Sequence, residues 1–453
     1  MRRSKTITAV VLTVLMVMNL IACDLIPDNG KRKLTADGRI VVTGCDWGPA
    51  VSKAIISVPE ALDQTQTLAP EMFNVRETGK TGLFNQSSSR TVTACYFSDE
   101  NGYATDNTGN YIALELYCSP EEGSPFYYDN SSGFNKWLAK YSLEITTKKD
   151  QSLLLASKEE VRISSVISFE KEPDPATVLL PEASKTDTSG VFTGSEGNTL
   201  TYASYVPVNA SEDNRRPLVI WLHGAGEGGT DPRITIYGNK VVSLMGEEFQ
   251  STMDGAYVLV PQTSTYWKRN EDGDYFDNSK PGDHSMYLND LKELIDTYVD
   301  SNYVDPDRIL IGGCSNGGFM ALDLVIHYPD QFAAAYLICE IYEPEQISDE
   351  ELDAIKDVPM WFVYAENDQT VVPSAYEEPL IARLAETGAA DVHVTVFQDV
   401  HDMSGRYQKD GNPYQYLGHF SWIYFFNNEC YEDDLSLWQW LSEQGVADTD
   451  YEE

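Results

Sequence analysis

Basic side chains are scarce in this chain: 32 Lys and Arg stand against 71 Asp and Glu, a formal net charge of −39. A surface so poor in cations cannot neutralise phosphates, which excludes nucleic acid as a partner. Histidine is rare too, with 6 in 453 residues, so histidine-dependent chemistry has few candidates. The 7 cysteines lack zinc-ligand spacing, and the Asp-rich turns do not follow the EF-hand loop. No metal or organic cofactor is therefore expected. Beyond residue 21 no segment is apolar enough to cross a bilayer.

What is present divides the chain into several parts. Arg2, Arg3 and Lys5 precede an apolar run at 7–21, the pattern of a signal peptide. It ends Leu20-Ile21-Ala22-Cys23, which resembles the bacterial lipobox, in which the cysteine becomes the lipidated first residue. The expectation is a lipoprotein signal at 1–22, lipidation of Cys23, and attachment to the outer face of the cell membrane through that lipid alone. Residues 23–38 are polar and read as a tether. Once Cys23 is set aside, Cys45, Cys95, Cys118, Cys314, Cys339 and Cys430 remain, an even number that allows disulfides or buried thiols equally.

From 39 to 175 short alternating apolar segments (40–43, 53–58, 91–97, 111–117, 141–147 and 162–169) are separated by Gly, Asn, Asp and Ser. This pattern predicts an all-β sandwich. A Pro-, Glu-, Ser- and Thr-rich linker is expected at 176–190. The domain from 191 to 447 has a different grammar. Strands at 218–222, 256–260, 308–312, 332–338, 360–364 and 392–397 alternate with helical patterns near 241–249, 286–299, 319–328, 376–386 and 435–444. The strands are apolar without alternation, as in a sheet covered on both faces, so the fold class is a doubly wound α/β domain.

Within that domain Gly313-Cys314-Ser315-Asn316-Gly317 stands between strand and helix, the context of a nucleophile elbow. Gly313 and Gly317 let the two backbones approach, and the helix N-terminus favours negative charge near Ser315. Cys314 is a rival nucleophile, but the glycines frame the serine. The strand ending Leu222-His223-Gly224-Ala225-Gly226-Glu227 supplies the loop expected to form an oxyanion hole, with donors at the backbone of Ala225 and Asn316. Asp368 lies in an acidic loop past the strand at 360–364 and is the expected orienting acid, with Glu366 as its alternative. His223 and His284 precede the serine, His327 rides the elbow helix, and His393 lies in the last strand. His401 and His419 are left as candidate bases.

Residues 199–444 resemble the secreted α/β-hydrolases of the predicted peptidase and esterase group, related to prolyl-oligopeptidase catalytic domains and polyhydroxybutyrate-depolymerase-like esterases. The matching pieces are His223 to Glu227, Gly313 to Gly318, Asn367 to Pro373, and the Gly-His-x-x-Trp formed by Gly418, His419 and Trp422. Gly44-Cys45-Asp46-Trp47-Gly48-Pro49-Ala50 resembles the immunoglobulin-like module that precedes some such esterases. The resemblance implies an α/β-hydrolase behind an immunoglobulin-like domain, and a Ser315, Asp368, His419 triad. It also implies a carboxylic ester as substrate, small or attached to a polysaccharide. A prolyl-oligopeptidase-type peptidase and an inactive binding protein of hydrolase fold are the alternatives. A seven-bladed propeller gate would need about 300 residues, more than the segment ahead of the hydrolase provides. The aromatics Tyr266, Trp267, Tyr275, Phe276, Tyr414 and Tyr416 are candidates for lining a substrate pocket.

Overall fold

The computed structural model describes residues 30–81, 84–106, 109–270 and 284–445. The expected signal peptide with Cys23, and the loop residues Tyr275 and Phe276, lie outside the described residues. The chain forms two compact units.

The first unit takes in described residues up to Val41, with Ser52–Tyr117 and Ala139–Leu179. One of its sheets runs Arg32–Thr35, Glu160–Phe169, Lys140–Thr147, Phe73–Thr81, Phe84–Arg90. The pairing is antiparallel apart from the parallel first pair. Tyr141, Leu143 and Ile145 are fully buried while the residues between them are not, the alternation expected of a sheet with one covered face. Arg32–Thr35 falls in the stretch read as a tether. Its Leu34 is buried and its backbone is held in register with 161–164, so this part of the stretch is strand.

The second unit comprises Leu180–Glu453 together with Val42–Val51 and Cys118–Leu138. Its sheet runs Thr186–Thr193, Thr199–Tyr205, Tyr257–Gln262, Arg216–Leu222, Val304–Cys314, Ala334–Ile338, Met360–Ala365, Val392–Phe397. The first two pairings are antiparallel and the rest parallel. Strand apolarity on both faces has a direct cause. Leu218, Ile220 and Leu222 enter one core cluster with Phe319 and Leu322, whereas Val219 and Trp221 enter the other with Phe425 and Trp438. Trp221 stacks on Phe425 at 5.6 Å between ring centroids.

Two expectations are corrected here. Residues 176–190 are not a free linker: Val178–Leu179 pairs with Ile40 and Val41, and Thr186–Thr193 is the edge strand of the eight-stranded sheet. Its exposed alternate residues are Asp187, Ser189, Val191 and Thr193, mostly polar, so it resembles a loop in composition. The single helix expected at 241–249 is a 3-10 turn, Val241–Met245, and a helix, Glu247–Thr252, separated by extended Gly246. Cys45, Cys95, Cys118, Cys314, Cys339 and Cys430 are free thiols. Among the described residues no helix is long and apolar enough to cross a membrane.

Candidate active site

The elbow strand Val304–Cys314 runs into the helix Asn316–His327 through Ser315, which has φ 54 and ψ −117. A non-glycine residue in that region is strained, and strain of this kind concentrates at functional sites. Ser315 is held there by its N–H donating to Ile338 O (2.8 Å) and by its carbonyl accepting from Phe319 N (3.0 Å). The glycines are sterically required. A Cβ on Gly317 would lie 2.0 Å from Leu222 O, and one on Gly313 would lie 2.5 Å from the same oxygen. Cys314, the rival nucleophile, is fully buried and accepts from Asn239 Nδ2 at 3.3 Å; burial pushes its thiol well above the usual range, so it stays protonated.

Asp368 follows the strand Met360–Ala365 and is 1% exposed. Its Oδ1 accepts from the N–H of Thr370 (2.7 Å) and of Val371 (3.0 Å), which locks the carboxylate in place. Its Oδ2 lies 2.7 Å from His419 Nδ1. Glu366, the alternative acid, is exposed. His419 is buried, with Trp422 edge-on at 5.6 Å. Gly418 explains the Gly-His pair, because a Cβ there would stand 2.3 Å from Asn367 Oδ1 and 2.7 Å from Asn367 O. Only glycine lets the histidine loop close against the acid loop.

The second histidine candidate is placed elsewhere. His401 Nδ1 lies 2.6 Å from Asp399 Oδ1, and both side chains are more than a third exposed.

His223 is fully buried, and burial pushes its imidazole down to about 4, so it is neutral. Thr263 N–H donates to Nε2 (3.2 Å), which puts the ring proton on Nδ1, 2.6 Å from Gly224 O. Glu227 N–H also donates to Gly224 O, at 3.3 Å. Because a trans peptide is planar, a Gly224 carbonyl turned onto His223 directs the N–H of Ala225 the opposite way. Asn316 is the first residue of its helix, so its N–H lies outside the helical ladder. Its buried side chain accepts from the N–H of Trp267 at 2.6 Å.

Ser315 and His419 line one cavity of about 480 Å³ with Gly224, Ala225, Glu227 and Thr370. Its remaining walls include Asp46, Trp47, Tyr128, Asn135, Phe420 and Trp422. Sequence reasoning placed Trp422 in the histidine motif and none of the others in the site. Asp46 and Trp47 sit in the Gly44–Ala50 motif, which was the available signal. The proposed aromatic lining goes a different way: Trp267 is fully buried in the core and Tyr416 is 7% exposed and packs on Tyr414. Tyr266 lies against Phe134, 5.2 Å between ring centroids. Among the described residues no cluster of His, Cys, Asp and Glu could hold a metal.

Residues 37–154 match the esterase Ig-like N-terminal domain, and residues 203–410 match the phospholipase/carboxylesterase family. Poly(3-hydroxyalkanoate) depolymerase C of Paucimonas lemoignei is 28% identical over 135 residues, covering 29% of this chain and 28% of that protein. Poly(3-hydroxybutyrate) depolymerase of Ralstonia pickettii is 30% identical over 145 residues, 30% of this chain and 28% of that protein. The chain thus spans little more than a quarter of either relative. The crystal structure of a thermostable esterase superposes with a TM-score of 0.70 at 25% identity, covering 90% of this chain and 99% of that one. The chain therefore joins an esterase Ig-like N-terminal domain at 37–154 to an α/β-hydrolase domain whose residues 203–410 match the phospholipase/carboxylesterase family.

Proposed function

We propose that the protein is a serine hydrolase of carboxylic esters, working through Ser315, His419 and Asp368 and a covalent acyl-enzyme. The observation that carries the proposal is the strained Ser315 sharing a cavity with His419, whose Nδ1 is hydrogen-bonded to buried Asp368. Asp368 fixes the tautomer with the proton on Nδ1, leaving Nε2 to take the proton of Ser315 Oγ as it attacks the ester carbonyl. The N–H groups of Ala225 and Asn316 stabilise the tetrahedral oxyanion, each at a level whose loss costs about 10²–10³ in kcat. His419 then protonates the leaving alkoxide. Water, deprotonated by the same nitrogen, releases the acid and restores Ser315. The depolymerase relatives point to neutral polymer or oligomer esters among the substrates, beside small esters.

The amino-terminal sequence supports an extracellular, membrane-attached location through a lipid on Cys23. Ester cleavage is tested with short p-nitrophenyl esters. The purified chain should release p-nitrophenol in a burst followed by a steady rate when deacylation limits, and a folded Ser315→Ala protein should lose both. Wild-type turnover in that variant, or faster cleavage of a peptide p-nitroanilide than of the ester, would overturn the reading.

A further inference from the structure

We infer that Glu227 is a charge filter in the cavity, a specificity-determining carboxylate that disfavours esters carrying a negative charge. The inference rests on Ser315 acting in that cavity, as proposed above.

Glu227 lines the same wall as Ser315 and His419 and is 5% exposed. Its position is fixed from several sides. Gln262 Nε2 donates to its backbone carbonyl at 2.8 Å. Gly238 is packed so close that a Cβ there would be 2.8 Å from Glu227 Cγ, and one on Gly224 would be 3.2 Å from Oε2. The side chain thus has no room to swing out of the wall. Its carboxyl oxygens meet neutral amides: Asn135 Nδ2 donates to Oε1 at 2.9 Å and Asn239 Nδ2 to Oε2 at 3.5 Å. The other acid of the wall, Asp46, differs because Lys240 Nζ lies 2.8 Å from its Oδ1 and neutralises it. Among the described lining residues there is no Lys or Arg. The cavity therefore presents one buried carboxylate without a countercharge to whatever acyl or alcohol group sits beside Ser315. At cavity distances and an effective dielectric near 20, an anionic substrate should be disfavoured about tenfold to thirtyfold against its neutral counterpart.

The filter should depend on pH. Burial pushes the Glu227 carboxyl up to about 7, so it is largely neutral in acid and ionised in mild base. The charged groups facing it are accounted for. Asp46 is paired with Lys240, Asp231 with Arg233 on the adjoining helix, and Asp129 with Lys136 on the hairpin that bears Asn135, while Asp368 is turned away onto His419 Nδ1 and two backbone N–H groups. Cys314 and His223 stay neutral through this range, since burial pushes the thiol up and the imidazole down.

The test compares p-nitrophenyl butyrate with mono-p-nitrophenyl glutarate, whose free carboxyl titrates near the ordinary carboxylate value and is ionised above pH 5.5. The quantity is the ratio of kcat/KM, neutral over anionic, from pH 5.5 to 8.5. Both substrates meet the same free enzyme, so any pH dependence they share divides out. In wild type the ratio should climb about tenfold across pH 7. In Glu227→Gln it should be lower in mild base and flat. Should the amide disturb the loop, the pH course in wild type still decides. A wild-type ratio that does not change with pH, or a Glu227→Gln protein that keeps the wild-type course, would overturn the inference. Failure of wild type to cleave the butyrate would instead refute the ester-hydrolase reading beneath it.

Discussion

Replacing Asp368 with Asn isolates the tautomer argument from folding. In wild type Oδ1 accepts from two backbone N–H groups, Thr370 at 2.7 Å and Val371 at 3.0 Å, and Oδ2 faces His419 Nδ1 at 2.7 Å. The amide can be oriented only one way. Turning its NH₂ toward Thr370 and Val371 would set donors against donors, so the oxygen keeps that position and the NH₂ faces His419. His419 must then offer a lone pair at Nδ1 and carry its proton on Nε2, where it cannot accept from Ser315. The predicted loss in kcat for a triad with this fault is about 10⁴, equivalent to about 5 kcal/mol of transition-state stabilisation. Folding should change far less, by about 1 kcal/mol, because both backbone hydrogen bonds survive as neutral ones. Steady-state hydrolysis of a p-nitrophenyl ester, with thermal unfolding measured in parallel, gives both quantities. A folded Asp368→Asn protein within tenfold of wild-type kcat would refute the assignment of the acid.

His419→Ala should lose as much activity as Ser315→Ala, and the double variant no more, since triad members act as a unit. His401→Ala should cost little, because its contact with Asp399 is at the surface and worth at most about 1 kcal/mol; the opposite ranking by kcat would move the base to His401. Buried His223, held down to about 4 against an ordinary value near 6.5, takes up protons only on unfolding between those limits. Its contribution to stability is complete above 6.5 and is lost toward pH 4, at up to about 1.4 kcal/mol per pH unit. Denaturant titrations at several pH values should show that slope reduced in His223→Asn; an unchanged slope would mean another group carries it. Cys23→Ser should move the protein from the membrane fraction to the soluble one, and wild type found only in the soluble fraction would contradict the lipid anchor.

The hydrolase sheet was legible because each central strand is apolar on both faces, as at Leu218 to Leu222 and Met360 to Tyr364, and because Gly313 and Gly317 mark the only backbone compatible with the elbow. Chain order pointed to Asp368 as the acid, while the histidines His401 and His419 stayed open until the resemblance of Gly418, His419 and Trp422 to a family motif favoured His419. The edge strand Thr186–Thr193 was not legible, since a mostly polar solvent side (Asp187, Ser189 and Thr193 beside Val191) leaves a pattern that a loop shares. Phe73–Thr81 escaped for a similar reason: its buried Phe73 and Val75 give way to Arg, Glu, Thr, Gly and Lys. Cavity walls are a harder case. Asn135 meets Glu227 across 92 residues of sequence, and Asp46 meets Lys240 across 194. Neither amides nor acids carry a local periodicity that would announce such partners. Glu227, flanked by glycines, has the sequence surroundings of a surface acid, and only the fold around it makes it a buried one.

The central claim is that Ser315 becomes acylated, and covalent trapping addresses it without reference to any substrate. The intact protein treated with a fluorophosphonate should gain one adduct per chain, mapped by peptide mass spectrometry to Ser315 and missing from Ser315→Ala. A label on Cys314 or at any other residue, or a folded protein that takes up none while still cleaving an ester, would contradict the account.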